Sequence, residues 1–336
     1  MGSAHRPSAQ RGTIKAIVQE GYGSPDVLKL REVEMPAFGD DGVLVEVHAA
    51  SVNALDWHLV RGVPIFIRVL EAIGAPKYRI RGVDLAGRVT AVGKNVTRFQ
   101  PGNEVLGGAD GSFAEFTVTT EKRLAAKPAG ITFEQAATLG IAGLTALQGL
   151  RDRAGLRALQ RVLVNGAGGG VGTFAVQIAK WLGAHVTAVT RAESVQLVRS
   201  LGADEIIDHD VEDFTSRRDR WDVIFDIGGN RPFSRCRRVM KSDGVLVAIG
   251  GPSGRWIAPA GRLLKAVILS PFTRRRRVVP FVAKSDPEGL ALLAGLVERG
   301  TITPIIDQRF KLSETAEAVQ RLGAGHLRGK IVITTR

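Results

Sequence analysis

The sequence predicts an α/β protein: a doubly wound parallel sheet with helices on both faces, joined to a smaller β-barrel-like domain. Three observations predict it. Residues 161–182, RVLVNGAGGGVGTFAVQIAKWL, pass from a β-branched stretch through a glycine-dense turn into apolar residues at helical spacing. Further short β-branched stretches follow, alternating with helical or crossover segments as stacked β-α units require. Before them, from residue 13 to residue 118, strand patterns are short and separated by close Gly, Pro and Asn turn signals, as in a compact barrel.

Taken in order, residues 13–20 (TIKAIVQE) and 27–34 (VLKLREVE) read as paired strands around the turn GYGSP. Residues 43–53 (VLVEVHAASVN) alternate apolar with polar after an Asp-Asp-Gly turn, and strand patterns recur at 85–92, 104–106 and 112–118. Residues 59–81, with the apolar cluster PIFIRVLEAIG, read either as a lid or wall of a cleft or as a short helix packed on the barrel. From residue 132 the period changes to helical, at 133–138 and 143–153. Six strands are then expected, at 161–165, 186–190, 205–208, 222–226, 244–250 and 278–283, with helices at 194–201, 232–240 and 259–269. A helix at 288–299, a strand at 305–310, a helix at 314–322 and a last strand in KIVITT close the chain and return to the first domain. The expected division is a disordered tail at 1–12, a barrel domain at 13–130 and 284–336, and a doubly wound domain at 131–283.

Composition bounds the partners. With 336 residues and 44% hydrophobic content the chain can bury a large core in two domains. Every long apolar run is broken by Gly, Pro or Arg before it reaches the length of a membrane span. The one cysteine, Cys236, rules out a disulfide framework and a cysteine-rich zinc site, and suits a reducing cytosol. The net charge of +13 favours anionic ligands. The run TRRRR at 273–277 reads as a solvated face, with an acidic partner or RNA as the alternative. RNA binding is not favoured, because aromatic residues are only 6% of the chain and do not interleave with the run.

Strand, glycine turn and helix in that order build an anion site, with backbone N–H groups and the helix N-terminus facing a pyrophosphate. Ala167, Gly169 and Gly172 take the three places of a G-x-G-x-x-G/A fingerprint, Gly170 closes the glycine turn and Val171 opens the helix. A carboxylate at the end of the second strand would bind the ribose 2′-hydroxyl of NAD. Here that strand ends Val189-Thr190-Arg191. Thr190, Arg191 and Ser194 suit a 2′-phosphate instead, which points to NADPH, although Glu193 stands close by. His209 is expected either against the adenosine or on the surface.

The motifs KAIVQEGYGSPDVLKL, SVNALDWHLVRG, GVDLAGRVTAVG, AATLGIAGLTALQGL, NGAGGGVG, RSLGADEIID, DVIFDIGGN and HLRGKIVI occur in one linked order. In that order the chain resembles the medium-chain dehydrogenase/reductase superfamily, in its zinc-independent, zeta-crystallin-like quinone oxidoreductase branch. The resemblance runs from about Lys15 to the C-terminus and implies a Rossmann-type domain beside a GroES-like barrel. Where alcohol dehydrogenases of the superfamily carry a cysteine and a histidine zinc ligand, this chain has Asn53 and Val83, and no metal is expected. The resemblance further implies that Thr145, Gly228, Gly250, Gly251 and the backbone of Phe281 to Ala283 meet the nicotinamide half of the cofactor. Asn53 and Trp57 are the expected hydrogen-bond donors to the acceptor oxygen, with barrel packing as the alternative for Trp57. Asp56 and Asp84 match acidic positions, with pairing to Arg61 or Arg81 as the plainer reading. The implied activity is cytoplasmic, NADPH-dependent hydride transfer to quinones or activated C=C bonds, by a homodimer. The alternatives are an enone, enal or haloacrylate reductase without quinone activity, and a catalytically weak NADPH-binding protein that binds RNA or an acidic partner.

Overall fold

The computed structural model describes residues 12–63, 79–250 and 275–335, together with Gly261, Leu264, Lys265 and Ile268. Gly251, most of the segments expected at 59–81 and 259–269, and part of the TRRRR run therefore lie outside the described residues. No described helix is long and apolar enough to cross a membrane.

The first sheet is organised on β3 (Gly42–Val52), an eleven-residue strand whose burial makes it a centre rather than an edge. It pairs antiparallel with β4 (Asp84–Val92), β6 (Phe116–Thr120) and the last strand, β15 (Lys330–Thr334). β4 pairs with β5 (Glu104–Gly108), β5 with β7 (Leu124–Ala126), and β14 (Ile306–Lys311) adds in parallel beside β15. β1 (Thr13–Gln19) and β2 (Leu28–Glu34) form a separate antiparallel ribbon. The strand expected at 112–118 begins only at Phe116, because residue 114 meets β1 at a single Ala16–Ala114 bridge. β7 was not expected: its three residues, LAA, are too short and uniform to show alternation.

The second sheet is wholly parallel. Its strands are β8 (Arg161–Asn165), β9 (His185–Thr190), β10 (Glu205–Asp208), β11 (Trp221–Asp226), β12 (Met240–Ala248) and β13 (Arg277–Pro280), in the order β10-β9-β8-β11-β12-β13. The connections reverse direction between β8 and β11, which opens a crevice at the carboxyl ends of those two strands. Successive side chains serve opposite faces: Val162 and Val164 join one core cluster and Leu163 the other. β13 is shorter than expected and ends at Pro280, leaving Phe281 to Ala283 as irregular chain.

The α-helices whose bounds lie within the described residues are α1 (Ala54–Arg61), α2 (Phe133–Ala137), α3 (Leu144–Leu147), α4 (Gly170–Trp181), α5 (Val195–Ser200), α6 (Phe233–Arg238), α7 (Pro287–Glu298) and α8 (Thr315–Ala324). The single helix expected at 143–153 is instead α3 between two π-helical turns, Leu139–Gly143 and Gln148–Arg153. One cause is visible: the Ile141 N–H leaves the helical ladder and donates to Asp84 Oδ1 at 2.9 Å. Ala49, Ala86, Leu106 and Ala125 of the first sheet share a core with Leu139, Leu147 and Leu150, and with Leu290 and Leu293 of α7. That apolar seam holds the two sheets in register around the crevice.

Candidate active site

The glycine turn between β8 and α4 is built by close approach. Gly166 has a φ of +93°, and the N–H groups of Gly166 and Ala167 both donate to the Val189 carbonyl at 3.0 Å. A Cβ on Gly172 would lie 2.1 Å from the Gly166 carbonyl oxygen, so α4 can touch the turn only with glycine there. A Cβ on Gly168 would meet Thr190 and Ser194 at 2.7 Å. Across the crevice, Asn165 Nδ2 donates to Asp226 Oδ1 at 2.7 Å, and the Gly228 N–H donates to the Asn165 carbonyl at 3.1 Å.

This turn floors a cavity of about 280 Å³. Gly169, Gly170, Thr190, Arg191, Ser194 and His209 all line it, so the structure brings together residues from the turn, the end of β9 and the end of β10. Glu193 lines it too. Ala167 and Gly172 are buried behind the wall and shape the turn. Sequence reasoning missed the opposite wall, Gly325 to Leu327, where His326 takes a φ of +60° and its Nδ1 contacts the Arg191 guanidinium. A histidine beside two glycines after a helix was the only signal.

A second cavity, about 350 Å³ and mostly apolar, is lined by Thr145, Phe281 and Ala283, as expected, and also by Leu55, Asp84, Ile141, Ile249 and Leu290. Arg123, Lys284 and Ser285 are its other polar neighbours. Gly228 and Gly250 are not in its wall. Gly250 packs on Ile227, whose carbonyl oxygen would be 2.2 Å from a Cβ there.

The residues matched to the acceptor side, Asn53, Trp57 and Asp56, do not line this second cavity. Both hydrogens of Asn53 Nδ2 are committed, to the Ser51 carbonyl at 3.1 Å and Asp84 Oδ2 at 2.9 Å, while Asn53 Oδ1 accepts from Lys330 Nζ at 2.5 Å. Its amide has no hydrogen left for an acceptor. Trp57 does not line that cavity; it lies against α8, where a Cβ on Gly323 would be 2.0 Å from Trp57 Nε1, and packs on the barrel core. Asp56 is fully buried and accepts from the Asn53 N–H at 2.8 Å without lining the cavity.

Asn53 and Asp56 belong to a buried charge cluster that sequence reasoning did not assemble. Asp84 accepts from Ser51 Oγ at 3.0 Å besides Asn53 and Ile141, and Lys330 Nζ donates to the Val52 carbonyl at 3.0 Å as well as to Asn53. Arg81, also buried, donates to Gln19 Oε1 at 2.5 Å. Burial pushes the Asp56 carboxyl up to about 7, opposed by the Asn53 N–H. Burial likewise raises Asp84 against the pull of Lys330, and lowers Lys330 against the pull of Asp84 and Asp56. The missed signal was a lysine opening an otherwise apolar buried strand, KIVIT.

The donor set does not fit zinc. Val83 has no ligating atom, Asn53 is fully hydrogen-bonded, and Cys236 is buried in the second sheet's core. Among the described residues no three His, Cys, Asp or Glu side chains converge as a metal site.

Known proteins agree with this architecture. A model of the alcohol dehydrogenase GroES-like domain matches residues 39–129, and a model of zinc-binding dehydrogenases matches residues 201–333. The chloroplast envelope quinone oxidoreductase homolog of Arabidopsis thaliana is 32% identical over 95% of this chain and 98% of its own length. The chain belongs to the medium-chain dehydrogenase/reductase family, in its quinone oxidoreductase branch. An NADPH-dependent alkenal/one oxidoreductase of the same plant is 33% identical over 95% of this chain and 79% of its own. The solved quinone oxidoreductase from Coxiella burnetii superposes with a TM-score of 0.86 at 29% identity, covering 97% of this chain and all of that one. The family's two-domain form, a GroES-like barrel beside a Rossmann-type sheet, is the fold observed here.

Proposed function

We propose that this member of the family is an NADPH-dependent oxidoreductase that transfers hydride to quinones or to the activated C=C bond of α,β-unsaturated carbonyls. The names of its relatives support the reaction class. The observation that carries the reading is a pair of cavities at the carboxyl ends of the parallel strands. One gathers Thr190, Arg191, Ser194 and His209 around the glycine turn, and the other is apolar and reaches Thr145 and Phe281. NADPH, when bound, supplies the hydride. The glycine turn and the α4 N-terminus would receive its pyrophosphate, and Thr190, Arg191 and Ser194 its 2′-phosphate. The apolar walls exclude water and favour flat, electrophilic acceptors. The exposed side of the cavity at Lys284 and Ser285 admits the solvent that delivers the balancing proton.

The donor set around Asn53 and Val83 supports a zinc-independent reaction; one equivalent of zinc retained through dialysis would overturn that. The pairing of β15 with β3 supports a barrel domain of 13–130 and 284–336 against 131–283. α7 nevertheless packs into the core cluster that the second sheet uses. A cytoplasmic homodimer remains our reading. It is supported by one buried cysteine and by β13, which among the described residues pairs with β12 alone. The deciding experiment is NADPH oxidation over a panel of quinones and enones. Turnover above background with at least one of them is expected, and none with any would refute the proposal.

A further inference from the structure

Lys330 stands between the two halves of the site. Its ammonium reaches the Val52 carbonyl and Asn53 Oδ1 on the barrel side. Its stem lies over the glycine turn: a Cβ on Gly170 would be 2.9 Å from Lys330 Cδ, and Gly329 bridges Gly169. The groups facing the cluster are Asp56 from α1, Asp84 from β4, Lys330 from β15 and Arg81 from the chain before β4. The two carboxylates are unequal. Asp84 accepts from Ser51, Asn53 and Ile141, whereas Asp56 Oδ1 is buried with no hydrogen-bond partner.

We infer that Lys330 is a counter-ion shared between the buried Asp56–Asp84 pair and the pyrophosphate at the glycine turn, so that dinucleotide binding draws a proton onto Asp56. The inference rests on the reading that the turn receives NADP(H). A pyrophosphate at Gly168 to Gly170 adds negative charge beside the pair and competes for its cation. Both effects favour protonation, and low dielectric makes them strong. Asp84 already accepts from three donors, each of which opposes its protonation. Asp56 Oδ1, with no donor, is the atom that takes the proton. The protonation state of the pair that backs the acceptor cavity is thereby set by cofactor occupancy, with Lys330 as a positioning residue between them.

The raised Asp56 carboxyl supports the coupling and sets its pH window. With the free enzyme titrating at about 7, roughly half a proton should be taken up per cofactor at pH 7, more at pH 8 and little below pH 6. Cofactor affinity should correspondingly fall as pH rises through that range.

The test is calorimetric titration of the full chain with NADP⁺ in phosphate and in Tris, whose ionisation enthalpies differ, so that the difference in heat counts protons. 2′-AMP, which fills the 2′-phosphate site without a pyrophosphate, corrects for proton exchange at that site. The expected result is an uptake of about 0.5 proton at pH 7 beyond the 2′-AMP value, falling below about 0.1 in Asp56→Asn. Lys330→Arg should keep the uptake and Lys330→Met should lose it with weaker binding. NADP⁺ binding to the wild type without proton uptake overturns the inference while leaving the cofactor reading intact. Equal uptake in wild type and Asp56→Asn also overturns it. No NADP⁺ binding at all overturns both.

Discussion

Two glycines three residues apart make opposite predictions. At Gly169 a Cβ would find its nearest neighbour, the Gly166 carbonyl oxygen, at 3.7 Å, an ordinary contact, and the backbone is extended, with a φ of −84°. At Gly172 a Cβ would lie 2.1 Å from that same oxygen and 2.7 Å from Ala167 backbone atoms, which have no freedom to withdraw. Gly169→Ala should therefore leave stability within about 0.5 kcal/mol of wild type. Its methyl group would project into the 280 Å³ cavity where the pyrophosphate approaches, and should raise the NADP⁺ Kd at least about tenfold, roughly 1.4 kcal/mol. Gly172→Ala should force α4 away from the turn, at about 1–3 kcal/mol. For a domain of this size that is a fall in Tm of roughly 3–10 °C. Thermal melts and fluorescence titration with NADPH measure the two effects separately. Wild-type affinity in Gly169→Ala would refute the turn as the pyrophosphate cradle. Wild-type stability in Gly172→Ala would refute the close approach of helix and turn.

Arg191→Glu should weaken NADPH far more than NADH, by about 2 kcal/mol of selectivity if one charge-assisted pair is lost. Equal losses for both cofactors would remove Arg191 from the 2′-phosphate site. Asp56→Asn should change how stability depends on pH. The folded carboxyl titrates at about 7 against an ordinary 3.8, so wild-type stability declines as pH rises from about 4 to about 7 and is flat above. The variant should lack that decline, gaining on the order of a few kcal/mol at pH 8, and parallel urea midpoints at pH 5 and pH 8 would contradict it. Trp57→Ala should cost about 2–3 kcal/mol through lost packing on α8 while leaving kcat near wild type. A collapse of kcat in folded protein would return Trp57 to the acceptor site.

The nucleotide-binding half was legible because its signals are local. Strand, turn and helix are contiguous at Arg161 to Trp181, and Thr190 to Ser194 follow directly from the next strand's end. The acceptor side was not. Asn53, Asp84 and Lys330 lie far apart in sequence, and only the pairing of β3 with both β4 and β15 brings them together. Their motif positions were visible, but not which hydrogen bonds they make. Asn53 looked like a free amide until Ser51, Asp84 and Lys330 used all of it. Trp57 was ambiguous for a related reason: one helical turn decides whether an indole faces a cavity or α8, and hydrophobic periodicity over eight residues does not fix that.

The buried cluster also bears on how the barrel keeps its shape around Asn53 and Val83. Two carboxylates and an ammonium in the interior cost more in desolvation than their attraction returns unless hydrogen bonds complete the shell. Here three donors hold Asp84 and two acceptors hold Lys330, while Asp56 Oδ1 has no hydrogen-bond partner. Lys330 Nζ ties β15 to the end of β3 through the Val52 carbonyl, and Asp84 ties β4 to the π-turn through the Ile141 N–H. Gly140 permits that second tie, since a Cβ there would lie 2.1 Å from Asp84 Oδ1. The seam between the barrel and the parallel sheet is thus tied by the Asp84–Ile141 hydrogen bond, and Lys330 braces the barrel beside it. Replacing Asp84 alone would strand the Ile141 N–H and the Asn53 amide together. For that reason Asp84→Asn, which keeps an acceptor oxygen, should fold where Asp84→Leu does not, and equal Tm values for the two would mean that the seam is held by its apolar contacts instead.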